Sequence, residues 1–172
     1  MTISFTPFPI LETERLVLRQ LQMSDKQSIF LLRSDERINE FIDRENAISI
    51  DEAANFIDMM EKTVANNEGI YWVLEDKSSN CFIGTACLWG VIDEDAKAEI
   101  GYELLYEAQG KGYMQEAVSA VVEYGFKTMG LKTISAVIKE GNERSVKLAE
   151  SKGFKFIKKE GVELFYVLES GK

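Results

Sequence analysis

The groups that could do chemistry concentrate between residues 98 and 154. Gln109-Gly110-Lys111-Gly112-Tyr113-Met114 is a turn with two glycines one residue apart, placed just ahead of a helix start. Such a start leaves backbone N–H groups unpaired and pointing outward. With the positive end of the helix dipole they form a site for an anion, phosphate above all. Lys111 adds a mobile positive charge, and the stretch reads as a pyrophosphate cradle. Two carboxylates, Glu99 and Glu103, precede it, while Asn142 and Ser145 follow it. The chain has no histidine. That removes Ser-His-Asp and Cys-His catalysis, histidine-based zinc sites and the usual proton carrier near neutral pH. Any base must be a carboxylate, a tyrosine, a lysine or ordered water, and no metal is expected.

Elimination narrows the phosphate ligand. A P-loop would need glycine where Leu105 stands and a hydroxyl where Gly112 stands. The dinucleotide fingerprint fails at Gln115, where its third glycine belongs. The pattern Gln/Arg-x-x-Gly-x-Gly/Ala fits at Gln109 and Gly112, with Met114 departing from the small last residue. Downstream, Asn142, Ser145, Leu148, Lys152, Gly153 and Phe154 form Asn-x-x-Ser-x-x-Leu followed by Lys-x-Gly-Phe. In this order, one helix and one strand apart, the two segments resemble the GNAT superfamily of N-acetyltransferases. The wording is closest to the RimJ/RimL-like branch of ribosomal-protein N-terminal acetyltransferases, over roughly residues 9–168.

That resemblance implies acetyl-CoA as co-substrate and an N-acetyltransferase moving acetyl to a primary amine. Its cofactor residues carry over as Gln109, Gly110, Lys111, Gly112, Tyr113 and Met114. Backbone groups around Tyr102, Leu104 and Leu105 would pair with pantetheine like an added strand. Asn142 and Ser145 would bond pantetheine or position substrate. Glu99 is the first choice for the base, because Ala98-Glu99-Ile100 resembles members with a glutamate base on this strand. Strand parity puts Glu103 on the same face as the rival. Ala149 stands where many members place an acidic tyrosine, so Ser145 is the candidate for protonating the thiolate. The leading acceptor is a protein N-terminal α-amine of ribosomal-protein type. A small amine (polyamine, amino acid, amino sugar or aminoglycoside) is the alternative, and a non-catalytic acyl-CoA-binding module a third. Phe41, Trp72, Trp89 and Tyr166 could line the acceptor slot, and Asp43, Glu45 and Glu163 could hold its ammonium group.

The elements that must position these groups follow from periodicity. Met114, Ala117, Val118, Val121, Val122, Phe126 and Met129 recur at helical spacing. Ser24 with Gln27 and Ser49 with Glu52 form capping boxes opening two earlier helices, with a short one between them over 35–42. Strands are expected at 15–20, 70–75, 81–89, 97–105 and 131–138, then a hairpin of 154–160 and 162–168 about Gly161. This order predicts a mixed α/β (α+β) chain, one domain over 1–172. The resemblance makes it a GNAT fold: a central, mostly antiparallel, seven-stranded sheet splayed between its fourth and fifth strands, with helices on both faces.

The formal charge of −9 argues against nucleic acid and anionic membranes as partners and leans towards a cationic substrate. No basic-then-apolar leader and no membrane-length apolar run is present, so a cytoplasmic location is expected. Cys81 and Cys87 would lie ~20 Å apart on one strand, too far for a disulfide, as small buried side chains on one face. The oligomeric state, a homodimer included, stays open.

Overall fold

Alternation of apolar residues writes most of the sheet. In the computed structural model, which describes residues 3–171, the strands are β1 (Leu11–Glu12), β2 (Leu16–Gln20), β3 (Ile70–Asp76), β4 (Cys81–Ile92), β5 (Lys97–Leu104), β6 (Thr133–Lys139), β7 (Lys155–Glu160) and β8 (Glu163–Glu169). The helices are α1 (Lys26–Ser34), α2 (Glu36–Asn39), α3 (Ile50–Ala65), α4 (Tyr113–Lys127) and α5 (Glu143–Ser151). The strands form one sheet in the order β1-β2-β3-β4-β5-β6-β8-β7, eight strands rather than the expected seven. The addition is the two-residue β1, which pairs with β2 and is too short to show a period.

Every neighbouring pair is antiparallel except β5 with β6. That parallel pair is in register only at Lys97–Glu99 with Thr133–Ser135. Beyond Glu99 the two strands part, so the splay falls at the expected place. Strands β5 and β6 are the fourth and fifth strands of the sequence count.

The sheet buries both faces. Trp72, Leu74, Leu88, Ile100 and Ile134 pack with Val118 and Val121 of α4. Tyr71 and Val73 pack with Ile29, Ala53 and Ile57 of α1 and α3. Helix α4 therefore holds one side of β5, and α1 and α3 hold the other face of the sheet.

Two local expectations are corrected. A bulge in β4 shifts the register, so that Leu74 pairs with Gly84 but Glu75 pairs with Phe82. The extra residue reverses the alternation, since one inserted position moves each following side chain to the other face. Cys81 therefore pairs with Asp76 and is exposed, whereas Cys87 pairs with Tyr71 on the opposite face and is half-buried. The Ser24/Gln27 capping box does not form. A 3-10 turn, Met23–Asp25, carries a box of Gln22 with Asp25, and the Asp25 carboxylate accepts from the Gln22 amide and from Arg19. At α3, Ser49 caps the Glu52 amide as expected, while Glu52 reaches back to the Ile48 amide.

Candidate active site

Where β5 and β6 diverge, a cleft of about 420 Å³ opens. It gathers Tyr102 and Leu104 from β5, Gln109 and Met114 from the glycine turn, and Asn142 and Ser145 from the start of α5. These six predicted site residues thus meet, together with Glu103, Phe41 and Leu148, whereas Glu99 does not line the cleft. The amide of Leu105 donates to the Ile83 carbonyl at 2.9 Å, and this residue does not line the cleft. Hydrogen bonding alternates along an antiparallel pair. With Leu105 turned to β4, the main-chain groups of Tyr102 and Leu104 face the open seam. The Leu104 carbonyl there accepts from the Gln109 side chain at 3.3 Å.

The turn itself has the backbone that glycine permits. Gly110 (φ +78°) and Gly112 (φ +83°) are left-handed, and Gly112 is the N-cap of α4. L-residues pay for this conformation with a Cβ–carbonyl clash. Among the described residues, no acceptor is found for the amides of Gly110, Lys111, Gly112, Tyr113 and Met114. The sequence offered no sign of what braces the turn. Arg15 donates to the Lys111 carbonyl at 2.9 Å, lies 4.3 Å from the Tyr113 ring centroid, and is ion-paired with Glu116. Arg144 donates to the Gln109 side-chain oxygen at 2.8 Å, linking the turn to α5. Outward amides, a helix start and this fixed curvature fit a pyrophosphate, and the seam edge of β5 fits an extended amide chain. Lys111, Gly110, Gly112 and Tyr113 stand beside the cleft rather than lining it.

Inside the cleft the Tyr102 and Ser145 hydroxyls are 2.7 Å apart. Burial raises the Tyr102 phenol, and the bond to Ser145 opposes this. Asn142 spends its side-chain oxygen capping the Ser145 amide at 3.3 Å, which leaves its NH₂ for other partners. Ala149 is buried in the core.

The two carboxylates differ sharply. Register places Glu99, Gly101 and Glu103 opposite Trp89, Cys87 and Thr85, one face of the sheet, as parity predicts. Glu103 is held by Arg44 through bonds of 2.6 and 2.9 Å, with side chains only 14% and 12% exposed. Glu99 has no cationic partner among the described residues. Desolvation, with the charge of Glu163 second, raises it to about 7. Cys87, on the same face, is pushed up to about 12, mainly by burial.

The acceptor-side expectations fare unevenly. Phe41 lines the cleft. Trp72 and Tyr166 are core residues, and the Trp72 indole donates to the Pro9 carbonyl at 2.9 Å. Trp89 is half-exposed beside Glu99. Asp43, Glu45 and Glu163 are exposed, so the first two offer no enclosed ammonium site. The segment around α2 instead turns the Arg44 guanidinium inward to Glu103, while Arg37 stays exposed over the Tyr106 ring at 3.9 Å. Charge type alone does not say which of two neighbouring charged residues faces in.

Among the described residues, no helix is long and apolar enough to cross a membrane. The profile of the acetyltransferase (GNAT) domain matches residues 15–155. The chain is 37% identical over 164 residues to the uncharacterized N-acetyltransferase YoaA of Bacillus subtilis (strain 168), covering 95% of this chain and 91% of YoaA. Its fold matches that of RimL, a ribosomal alpha-N-protein acetyltransferase in complex with coenzyme A, at a TM-score of 0.85 with 15% identity, over 94% of this chain and 98% of that one. A spermidine N-acetyltransferase from Vibrio cholerae in complex with CoA and spermine matches at 0.78 with 23% identity, over 90% and 94% of the two chains.

Proposed function

The chain belongs to the GNAT acetyltransferase family and is an acetyl-CoA-dependent N-acetyltransferase; from that premise we propose that its acceptor is a protein N-terminal α-amine. The observation that carries the reading is the seam between β5 and β6. It is open, and Glu103 lines both the 420 Å³ cleft and a second cleft of about 630 Å³ bordered by α3, β3 and β4. A polyamine site calls for several unpaired carboxylates in an enclosed pocket. Here Glu103 is neutralised by Arg44, and the other carboxylates of the cleft and its rim, Glu40, Glu143, Asp43 and Glu45, are exposed to solvent rather than enclosed.

In this reading the amides of Gly110–Met114 hold the pyrophosphate, and the seam edge of Tyr102 and Leu104 holds pantetheine and polarises the thioester carbonyl. The amine must arrive uncharged. An α-amine has a pKa near 8, so roughly a tenth is neutral at pH 7. Glu99, at about 7, takes the ammonium proton directly or through water. Its burial matches it to that task. The leaving thiolate receives a proton from the Tyr102–Ser145 pair, in which the phenol is the stronger acid and Ser145 the relay. Tyr102 in this way takes the part that Ala149 cannot.

A thiol-release assay with acetyl-CoA, run on N-terminal peptides and on small amines including spermidine, tests the proposal. Peptide turnover is expected, with spermidine at background. Spermidine as the preferred acceptor would reverse the substrate assignment, and binding of coenzyme A with no turnover on any amine would leave a binding module.

A further inference from the structure

The 630 Å³ cleft contains a cation with no ion-pair partner among the described residues. Arg33, at the end of α1, is half-buried, and its guanidinium lies 4.0 Å from the Phe56 ring centroid. Among the described residues it has no carboxylate within ion-pair distance and no hydrogen-bond acceptor for its side chain. Its neighbour Glu103 acts on it only at longer range, its carboxylate being held by Arg44. Two guanidinium groups thus stand around one half-buried carboxylate, in a protein of net charge −9. Burial, and then the nearby Arg44, lower the Arg33 pKa, as expected for a cation short of a partner.

A second orphan lies in the same cleft. Tyr71 is 7% exposed, and its hydroxyl has no hydrogen-bond partner among the described residues. Thr85 stands beside it on the paired strand without the geometry of a bond. Buried polar groups are ordinarily satisfied, so an idle donor and an idle guanidinium on one cleft wall mark a place for an acceptor-rich group. A planar guanidinium fork matches a carboxylate in particular. Phe56, Met60 and Trp89 supply apolar walls, and the exposed Glu68 is the other carboxylate on the lining. Trp89 also pairs directly with Glu99, the base of the proposed reaction, which itself lines neither cleft.

We propose that the acceptor carries a carboxylate near its reacting amine, bound by Arg33 with the Tyr71 hydroxyl donating beside it, while its apolar part lies against Phe56 and Trp89. This rests on the acetyltransferase reading and narrows its substrate class. The carboxylate has two sources, an acidic side chain among the first residues of a peptide or the α-carboxylate of a free amino acid.

The test is the same thiol-release assay on matched acceptors differing only in that group. One pair is peptides with aspartate or asparagine as second residue, and the other is phenylalanine and phenylalaninamide, the latter compared per neutral amine because amidation lowers the α-amine pKa. Wild type is expected to favour the carboxylate member of at least one pair by about tenfold in kcat/KM. Whichever pair shows it identifies the source. Arg33→Met, which keeps a chain over Phe56, should bring that ratio close to one while coenzyme A still binds by calorimetry. Should Arg33→Met fail to fold, Arg33→Lys and Tyr71→Phe take its place, each expected to lower the ratio in part. Equal rates within both pairs, an undiminished ratio in the variants, or preference for spermidine overturns the proposal. Turnover without the preference defeats this inference alone. Coenzyme A binding without turnover of any amine defeats the acetyltransferase reading beneath it.

Discussion

Replacing Glu99 by glutamine isolates a half-buried carboxylate that has no cationic partner among the described residues. The group rises from 4.5 to about 7 because its charged form is desolvated, with Glu163 adding repulsion. A raised carboxyl pKa means that the folded protein keeps a proton the unfolded chain has released. Stability is therefore unaffected below about pH 4.5, falls as pH climbs towards 7, and levels off above. At 1.36 kcal/mol per pH unit, the gap between 4.5 and about 7 sets a ceiling of roughly 3 kcal/mol. Solvent reaches the half-exposed group and screens it, which brings the expected loss to about 1–2 kcal/mol. Glu99→Gln should abolish it: urea melts at pH 8 should show the variant about 1–2 kcal/mol more stable than wild type, and melts at pH 4.5 no difference. Activity should move the opposite way. Wild-type kcat/KM for a peptide should fall tenfold per pH unit on the acid side of about 7, and the variant should lose that limb along with roughly a hundredfold or more of its rate. A stability difference equal at both pH values would sink the burial argument. An unchanged pH–rate profile would remove Glu99 from the mechanism.

The other expectations probe the parts around it. Gly112→Ala places a left-handed alanine with its Cβ 3.2 Å from Arg15, whereas Gly110→Ala meets nothing within 4 Å. The first should cost about 2 kcal/mol and the second about 1 in thermal melts, and Gly112→Ala should also weaken coenzyme A in calorimetry. Arg44→Met strands the nearly buried Glu103 and should destabilise by about 3 kcal/mol, with Glu103→Gln in the same chain restoring most of it. Tyr102→Phe and Ser145→Ala should each lower kcat at least tenfold with little change in the KM for acetyl-CoA. The double variant should be no slower than the worse single one, because the two hydroxyls act as one relay.

Residues 98–154 carried the family, and spacings along the whole chain carried most of the order of elements. The reason is physical: a glycine turn before an amphipathic helix, or alternating apolar residues along a strand, is a relation between residues a few positions apart. Covalent geometry enforces it wherever the segment ends up. The same locality put Glu99 and Glu103 on one face, as their pairing with Trp89 and Thr85 bears out. It failed where a single residue breaks the period. The bulge at Ile83 parts Cys81 from Cys87, and Asp25 caps at its own turn because it also answers Arg19.

Only the tertiary structure decided which carboxylate is free. Arg44 finds Glu103 across 59 residues, Tyr102 finds Ser145 across 43, and Arg15 braces the turn through Glu116 across 101. Such partnerships depend on which chain segments the sheet brings side by side, and no local spacing encodes them. Whether a charge is paired, and how far its burial moves its proton, is a property of that assembled neighbourhood. Glu99 and Arg33 stand out because the fold gave their neighbours ion-pair partners and, among the described residues, left them none.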